Sequence, residues 1–420
     1  MQPRSIRRRF RAAAIVALLA CLALAGAAGA EGDEGWTIEY SNGLSFDKND
    51  GQASFKLGGR IHADFATIAV ERVLDALFPG GDGQGVELRR AYLYMSGELY
   101  ERVIWKSQFD FAGSEVNAKD VYIGVRGLGF LGTAKVGHFK EPYSLEELTS
   151  DNYITFMERA LPSIFNPSRN FGLGFSNAIS DQRMTWAAGV FVDTDGGAEA
   201  FSTRNRFNIT GRVTGLPVYA DEGRRLVHLG VAGGFQVRDD TEQRIRQRPE
   251  IHLAQRYLDT RNFHTDGNRL LGVEVAAVCG PLHLASEWKQ SWIDQVGGKN
   301  LNVWGTYVSG GWFLTGESRP YKKSSGTWSR VKPANPFDPD GGKWGALELA
   351  ARFSYLNLNS HNVRGGREAN VSVGLNWYLY SNVRLMANYV YANVMSTGGE
   401  SFGTGEGKLH GVQARAQIEF

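Results

Sequence analysis

The sequence predicts an all-β fold: a transmembrane antiparallel β-barrel of sixteen strands, with eighteen the alternative, and one long loop folded into its lumen. Three observations predict it. Segments of about 9–14 residues alternate apolar with polar side chains at the period of a strand. The links between them alternate short with long, as in barrels whose turns are short on one side of a membrane and longer on the other. Beyond residue 30, no apolar run reaches the roughly 18 residues of a membrane helix. Composition leads the same way. With 52 Gly against 12 Pro, 10 Trp, 16 Tyr, 23 Phe and 21% charged residues, the chain is neither disordered, collagen-like nor a coiled coil. Nothing along the 420 residues reads as a linker between domains.

Residues 1–30 have the parts of a cleaved signal peptide: a basic start through Arg11, an apolar run from Ala12 to about Ala25, and Ala28-Gly29-Ala30 as a small-residue cleavage site. The run is too short for an anchor, which needs roughly 20 residues. Five of the 46 bases lie in this leader, so the mature chain carries 41 bases against 44 acids. That balance does not suggest a nucleic-acid partner. Removal of Cys21 leaves Cys279 alone, so no disulfide can form within the chain.

Residues 31–52 follow as a short N-terminal periplasmic segment, and the barrel occupies 53–420. The last strand shows the pattern plainly: Val412, Ala414, Ala416, Ile418 and Phe420 alternate with Gln413, Arg415, Gln417 and Glu419. The same split opposes Phe55, Leu57, Ile61, Ala63 and Phe65 to Lys56, Arg60, His62 and Asp64. A soluble sandwich also alternates, but its strands run nearer to about 5–6 residues. Short links such as Tyr380-Ser381-Asn382 read as periplasmic turns and long polar ones such as 316–342 as external loops. Trp377, Tyr378, Tyr380, Tyr389 and Tyr391 read as aromatic girdle residues near one short turn. The segment 141–171 breaks the strand rhythm, is too long for a hairpin link, and is expected to fold inward as a constriction loop.

Several segments, in order and in register from about 54 to 420, resemble the phosphate-selective porin O/P family. They include Ser54-Phe55-Lys56-Leu57-Gly58-Gly59-Arg60, Leu88-Arg89-Arg90-Ala91-Tyr92, Gly137-His138-Phe139-Lys140-Glu141-Pro142-Tyr143-Ser144, Phe156-Met157-Glu158-Arg159 and the terminal Phe420. The resemblance implies a sixteen-stranded outer-membrane barrel of a Gram-negative bacterium, commonly a homotrimer, that conducts small anions, with phosphate or polyphosphate as candidate permeants. It implies lumen bases at Arg60, Arg89, Arg90, Lys106 and Arg159 and an acid at the constriction, Asp120. Strand parity agrees for Arg60, Arg90 and Lys106 but sends Arg89 to the outer face, tolerable only near a rim. One departure stands out. Glu147 occupies a place where phosphate-selective relatives carry lysine, and an acid there lowers the local positive potential.

Anion pores replace part of the ion's hydration with Arg or Lys. Arg244, Arg246 and Arg248 lie two apart, so an extended segment points all three one way, with Arg238 and His252 at matching steps. They are expected to form a lumen-facing row, the alternative being a solvated external loop. A terminal Phe420 on an amphipathic strand also resembles the signal read by the outer-membrane assembly machinery. Gly127-Leu128-Gly129-Phe130-Leu131-Gly132 fits a dinucleotide pattern, but strand follows it rather than helix, so it reads as a turn. No close Cys/His cluster suggests zinc, and no cofactor is expected. The readings weighed are an anion-preferring porin, a general diffusion porin with little charge selectivity, and a barrel lipase. The last has least support, because no strand presents Ser and His together among its lipid-facing positions.

Overall fold

A computed structural model describes residues 35–40, 42–194, 196–200, 202, 205–398 and 405–420; the leader and its cleavage site lie outside the described residues. Eighteen strands make one sheet, of which the first two form an N-terminal hairpin and the other sixteen close a barrel. Numbered in chain order, the barrel strands are β1 (Ala53–Val70), β2 (Gly83–Leu99), β3 (Val103–Asp110), β4 (Asn117–Val125), β5 (Thr133–Lys140), β6 (Arg169–Ile179), β7 (Met184–Val192) and β8 (Phe207–Ala220). They continue as β9 (Arg225–Gln243), β10 (Phe263–Cys279), β11 (Leu282–Gln295), β12 (Leu301–Phe313), β13 (Ala346–Ser360), β14 (Val363–Tyr380), β15 (Val383–Ser396) and β16 (Gly407–Glu419). Every neighbouring pair is antiparallel, and β16 closes on β1 from Leu409–Val70 to Glu419–Arg60. No strand edge of the barrel stays open, which is how a sheet satisfies its backbone groups inside hydrocarbon.

The predicted alternation governs the wall. Along β1, Ile61, Ala63, Phe65 and Thr67 are exposed while Arg60, His62, Asp64 and Ala66 are buried; along β16, Val412, Ala414, Ala416 and Ile418 face out against Gln413, Arg415 and Gln417. Apolar outside and polar inside is the reverse of a soluble core and suits a barrel in lipid. At closure, Phe420 accepts from the Gly59 amide at 2.5 Å and donates to the Gly59 carbonyl at 3.0 Å. A Cβ on Gly59 would stand 2.7 Å from the Phe420 ring, so only glycine leaves the terminal aromatic its seat.

The hairpin Trp36–Tyr40 with Leu44–Lys48 pairs onto the first residues of β1, beyond the reach of β16, and so lies at the end that holds the C-terminus. That end also carries the short turns 100–102, 180–183, 280–281 and 381–382. Three points differ from the sequence reading. The segment 314–345 lies at this same end, so it is not an external loop. The inserted loop runs 141–168, its last three expected residues belonging to β6. Tyr378 is buried and donates to Glu348 at 2.6 Å inside the barrel, and Tyr389 and Tyr391 pair with Val373 and Val371 away from the short turn, whereas Trp377 and Tyr380 do face outward at the short-turn end.

Candidate functional site

Loop 141–168 crosses the lumen to the opposite wall, and its backbone carbonyls are taken up there. Gln417 donates to the carbonyl of Asn152, Arg384 to Ile154, Asn376 to Thr155, Arg415 to Met157 and Arg352 to Glu158, at 2.8–3.1 Å. Buried backbone must find partners, and a run of wall side chains supplies them. Three wall arginines are thereby committed to holding the loop. Within it, α1 (Leu145–Leu148) is capped by Ser144, whose hydroxyl accepts from the Glu147 amide at 3.1 Å. Arg159 donates to the carbonyls of Glu146, Glu147 and Thr149 and pairs with Asp151 at 2.7 Å.

The loop's acids meet the wall's bases. Glu158 binds Arg89 in a two-point contact of 2.8 and 2.9 Å and pairs with Arg415 at 3.2 Å; Asp151 reaches Arg90 at 3.3 Å. Glu147 lies 3.3 Å from Lys140 and 3.2 Å from Arg159. Burial would raise the Glu147 carboxyl, but Arg159 and Lys140 outweigh it and hold it at about 2. Burial likewise opposes, and nearby arginines overcome, the ionisation of Asp151 and Glu158, both held low. Glu146 goes the other way. Burial raises it to about 7, Arg352 offsetting only part of this while Glu287 adds repulsion.

Arg89 faces inward, contrary to strand parity, and the reason is a β-bulge. Arg90 pairs with His62 and Leu88 with Ala63, leaving Arg89 as the extra residue. Two consecutive arginines thus share the lumen side while Leu88 stays outside. The device recurs at β4. Ser107 pairs with Val121 and Phe109 with Ala118, so Lys119 and Asp120 both turn inward. Lys119 reaches Asp110 at 3.5 Å; Asp120 takes Lys106 at 2.8 Å and Arg169 at 2.7 Å.

Two further segments enter the lumen. Loop 244–262, from the far end, buries Glu250, which accepts from Arg352 at 2.6 Å, Ser372 at 3.0 Å and the Leu161 amide at 3.0 Å. Its Ile251, Tyr257 and Leu258 pack with Leu161 and Phe165 of the first loop. Ile245 points into that core, so Arg244 and Arg246 on either side point away and are exposed. Arg244 pairs with Asp259, and Arg248 donates to the Ala254 carbonyl at 2.9 Å. Burial first, then repulsion from Arg256 and Arg89, lowers the Arg248 guanidinium; Arg256 is lowered by burial and by Arg246. The segment 314–345 enters from the other end. Arg212 donates to the carbonyls of Ser325 at 3.2 Å and Gly326 at 2.8 Å, and the Trp328 amide to Thr149 of the first loop at 3.2 Å. Its Arg330 joins Glu419 at 2.7 Å and the Tyr153 hydroxyl at 2.9 Å.

A family model for phosphate-selective porin O and P matches residues 55–420. The chain belongs to that family. Porin O of Pseudomonas aeruginosa is 25% identical over 412 residues, covering 88% of this chain and 90% of the relative. An uncharacterized protein of Caulobacter vibrioides is 29% identical over 385 residues, 88% of this chain and 75% of the relative. The fold is shared with the anion-selective porin from Comamonas acidovorans, with a TM-score of 0.56 and 13% identity over 88% of this chain and 100% of that one. This chain is therefore an outer-membrane porin, and the end with the short turns, the Trp36–Lys48 hairpin and the C-terminus is its periplasmic end.

In this porin Arg60, Arg89, Arg90, Lys106, Asp120 and Arg159 gather where loop 141–168 meets β1–β4, and Arg60 donates to Ser150 at 3.3 Å. Arg244, Arg246 and Arg248 stand apart, above them on the external side. Arg238 and His252 do not extend that row: Arg238 pairs with Asp193 at 2.9 Å and His252 with Glu87 at 2.8 Å. Lys119, Lys140, Arg169, Arg212 and Lys135 escaped the sequence reading. For Lys119 a signal existed, since Lys119-Asp120 inside a strand cannot send either charge into lipid. Lys322, read as external, belongs to the segment 314–345 that enters from the periplasmic end.

Proposed function

We propose that this porin passes small anions by passive diffusion, phosphate or polyphosphate among them, along a basic track on one side of its lumen. The supporting observation is the group Arg246, Arg248 and Arg256. Among the described residues none of the three pairs with a carboxylate; Arg256 repels both Arg246 and Arg248, and Arg89 repels Arg248, at the external approach to the constriction loop. Guanidiniums held together with no carboxylate in direct contact, Glu87, Glu158 and Asp259 acting only from further off, attract anions. Lys106, Lys119 and Arg169 continue the track, and Lys135 and Lys322 carry it towards the periplasm. The test is the permeability ratio of chloride to potassium in single channels. Arg246→Ala with Arg248→Ala should lower it, and Lys299→Ala, in the exposed external loop 296–300, should not. An unchanged ratio in the double variant would remove the row from the path.

A general diffusion porin with little charge selectivity is the second reading. It is favoured by the acids Asp151, Glu147, Glu158 and Asp120, each set against constriction bases. Phosphate block of chloride current separates the two, since only an anion-binding path is blocked.

We further infer export through a signal peptide cleaved after Ala30, assembly-machinery recognition through Phe420, and a homotrimer that migrates as an oligomer until heated. The wall β3–β7 supports the last, with strands of only 8, 9, 8, 11 and 9 residues. Eight tilted residues rise about 20 Å, less than the roughly 25 Å apolar band of such barrels, so protein suits this wall better than lipid.

A further inference from the structure

We propose that the outward rim of β14–β16, at the external end, binds the phosphate groups of a phosphorylated glycolipid in the outer leaflet. The outward face of β14 reads Ala369, Val371, Val373, Leu375, Trp377 and Leu379. At about 3.3 Å per residue and a tilt near 40°, this run rises about 25 Å, the height of the apolar band. The next outward position is Arg367. A bulge opposite Leu358, where Gly365 and Gly366 face a single residue and Gly366 takes φ +97°, turns Arg364 to the same side. Both arginines are exposed.

Two strands away, Lys408 and His410 face outward, in register with Ala369 and Val371 through the pairs Ala369–Asn393–Lys408 and Val371–Tyr391–His410. Tyr389 holds His410 by a 2.7 Å bond from its hydroxyl to Nδ1. Arg364 and Arg367 therefore stand just above the apolar band, at headgroup level, with Lys408 and His410 near its upper edge beside the rings of Tyr389 and Tyr391.

Among the described residues, none of Arg364, Arg367 and Lys408 has a carboxylate partner. Glu71 is nearby, but its carboxylate accepts from the Lys408 backbone amide at 3.0 Å; Glu406 lies one outward step further towards solvent. Elsewhere on the external rim, the outward Arg269 is matched by Asp294 at 2.8 Å. Exposed guanidiniums at headgroup height, without a carboxylate partner among the described residues, suit the charge-assisted, two-point contact that phosphate oxygens offer. The patch faces lipid and is separated from the ion pathway by the barrel wall.

Native mass spectrometry of the detergent-purified porin tests this, with lipid A carrying both phosphates, the same lipid stripped of phosphate, and inorganic phosphate as probes. The fully phosphorylated lipid should be retained, the stripped lipid at least tenfold less, and millimolar inorganic phosphate should not displace it. Arg364→Ala with Arg367→Ala and Lys408→Ala should lower retention at least tenfold, with single-channel conductance unchanged, while Arg269→Ala should not. Equal retention of the stripped lipid would mean that acyl chains alone bind, and displacement by inorganic phosphate would mean a free-anion site. Either result overturns the proposal, as does retention by the triple variant. The probe series on the unaltered porin decides the matter even if the triple variant fails to assemble.

Discussion

Glu147 illustrates how one acid can serve two bases. Its carboxylate sits between Lys140 and Arg159, so its effect on permeating ions is to cancel charge that would otherwise face them. Glu147→Gln should free that charge and strengthen phosphate block of chloride current. A screened interaction of about 1 kcal/mol corresponds to roughly a fivefold lower half-block concentration. An unchanged block would place Glu147 away from the path. Glu147→Lys is the poorer test, because three buried cations would expel one another and displace the loop. The neighbouring Glu146 gives a pH dependence. Its carboxyl is raised from 4.5 to about 7, so its contribution to loop docking is fully present below 4.5 and fades as pH rises through 7. Glu147, Asp151 and Glu158, held low, contribute above 4.5 and fade only in acid. From pH 5 to 8.5 current noise from the loop should therefore grow, and Glu146→Gln should flatten that dependence. Equal noise at both pH values in the unaltered porin would count against this assignment.

Among elements, alternation made the strands legible because each face meets a different solvent. It failed where the ladder gains a residue. Parity sent Arg89 outward, whereas a bulge opposite His62 and Ala63 turns it in; Arg89-Arg90 and Lys119-Asp120 mark the two sites, since neither charge of either pair is tolerable in lipid. The bulge makes a prediction of its own. Deleting Arg89 would leave Arg90 opposite His62 and Leu88 opposite Ala63, so the barrel should still assemble. Deleting Leu93 from the regular ladder would reverse every side chain before it, and assembly should fail. Heat-modifiable mobility of the two deletions checks this, and equal behaviour would contradict the bulge. The segment 314–345 was misread for another reason. Length and polarity mark a long link, but which end it occupies depends on counting strands, and its attachment to Arg212 and Thr149 is a tertiary fact.

At the scale of the whole molecule, sixteen strands form a closed wall and three segments narrow its interior, two from outside and one from the periplasm. The strand pattern and the order of the family's motifs were readable in the sequence. The pairing of loop acids with wall bases was not, because residues such as Arg89 and Glu158 are far apart in the chain and meet only after folding. What this pairing leaves over is the central matter: Arg246, Arg248 and Arg256 outside, and Lys135 and Lys322 inside, stand without carboxylate partners among the described residues, so the field along the path should remain positive. The zero-current potential of a single purified channel across a potassium chloride gradient measures this directly. Anions crossing ahead of cations will make the dilute side negative; a potential of zero, or a positive dilute side, would contradict the account.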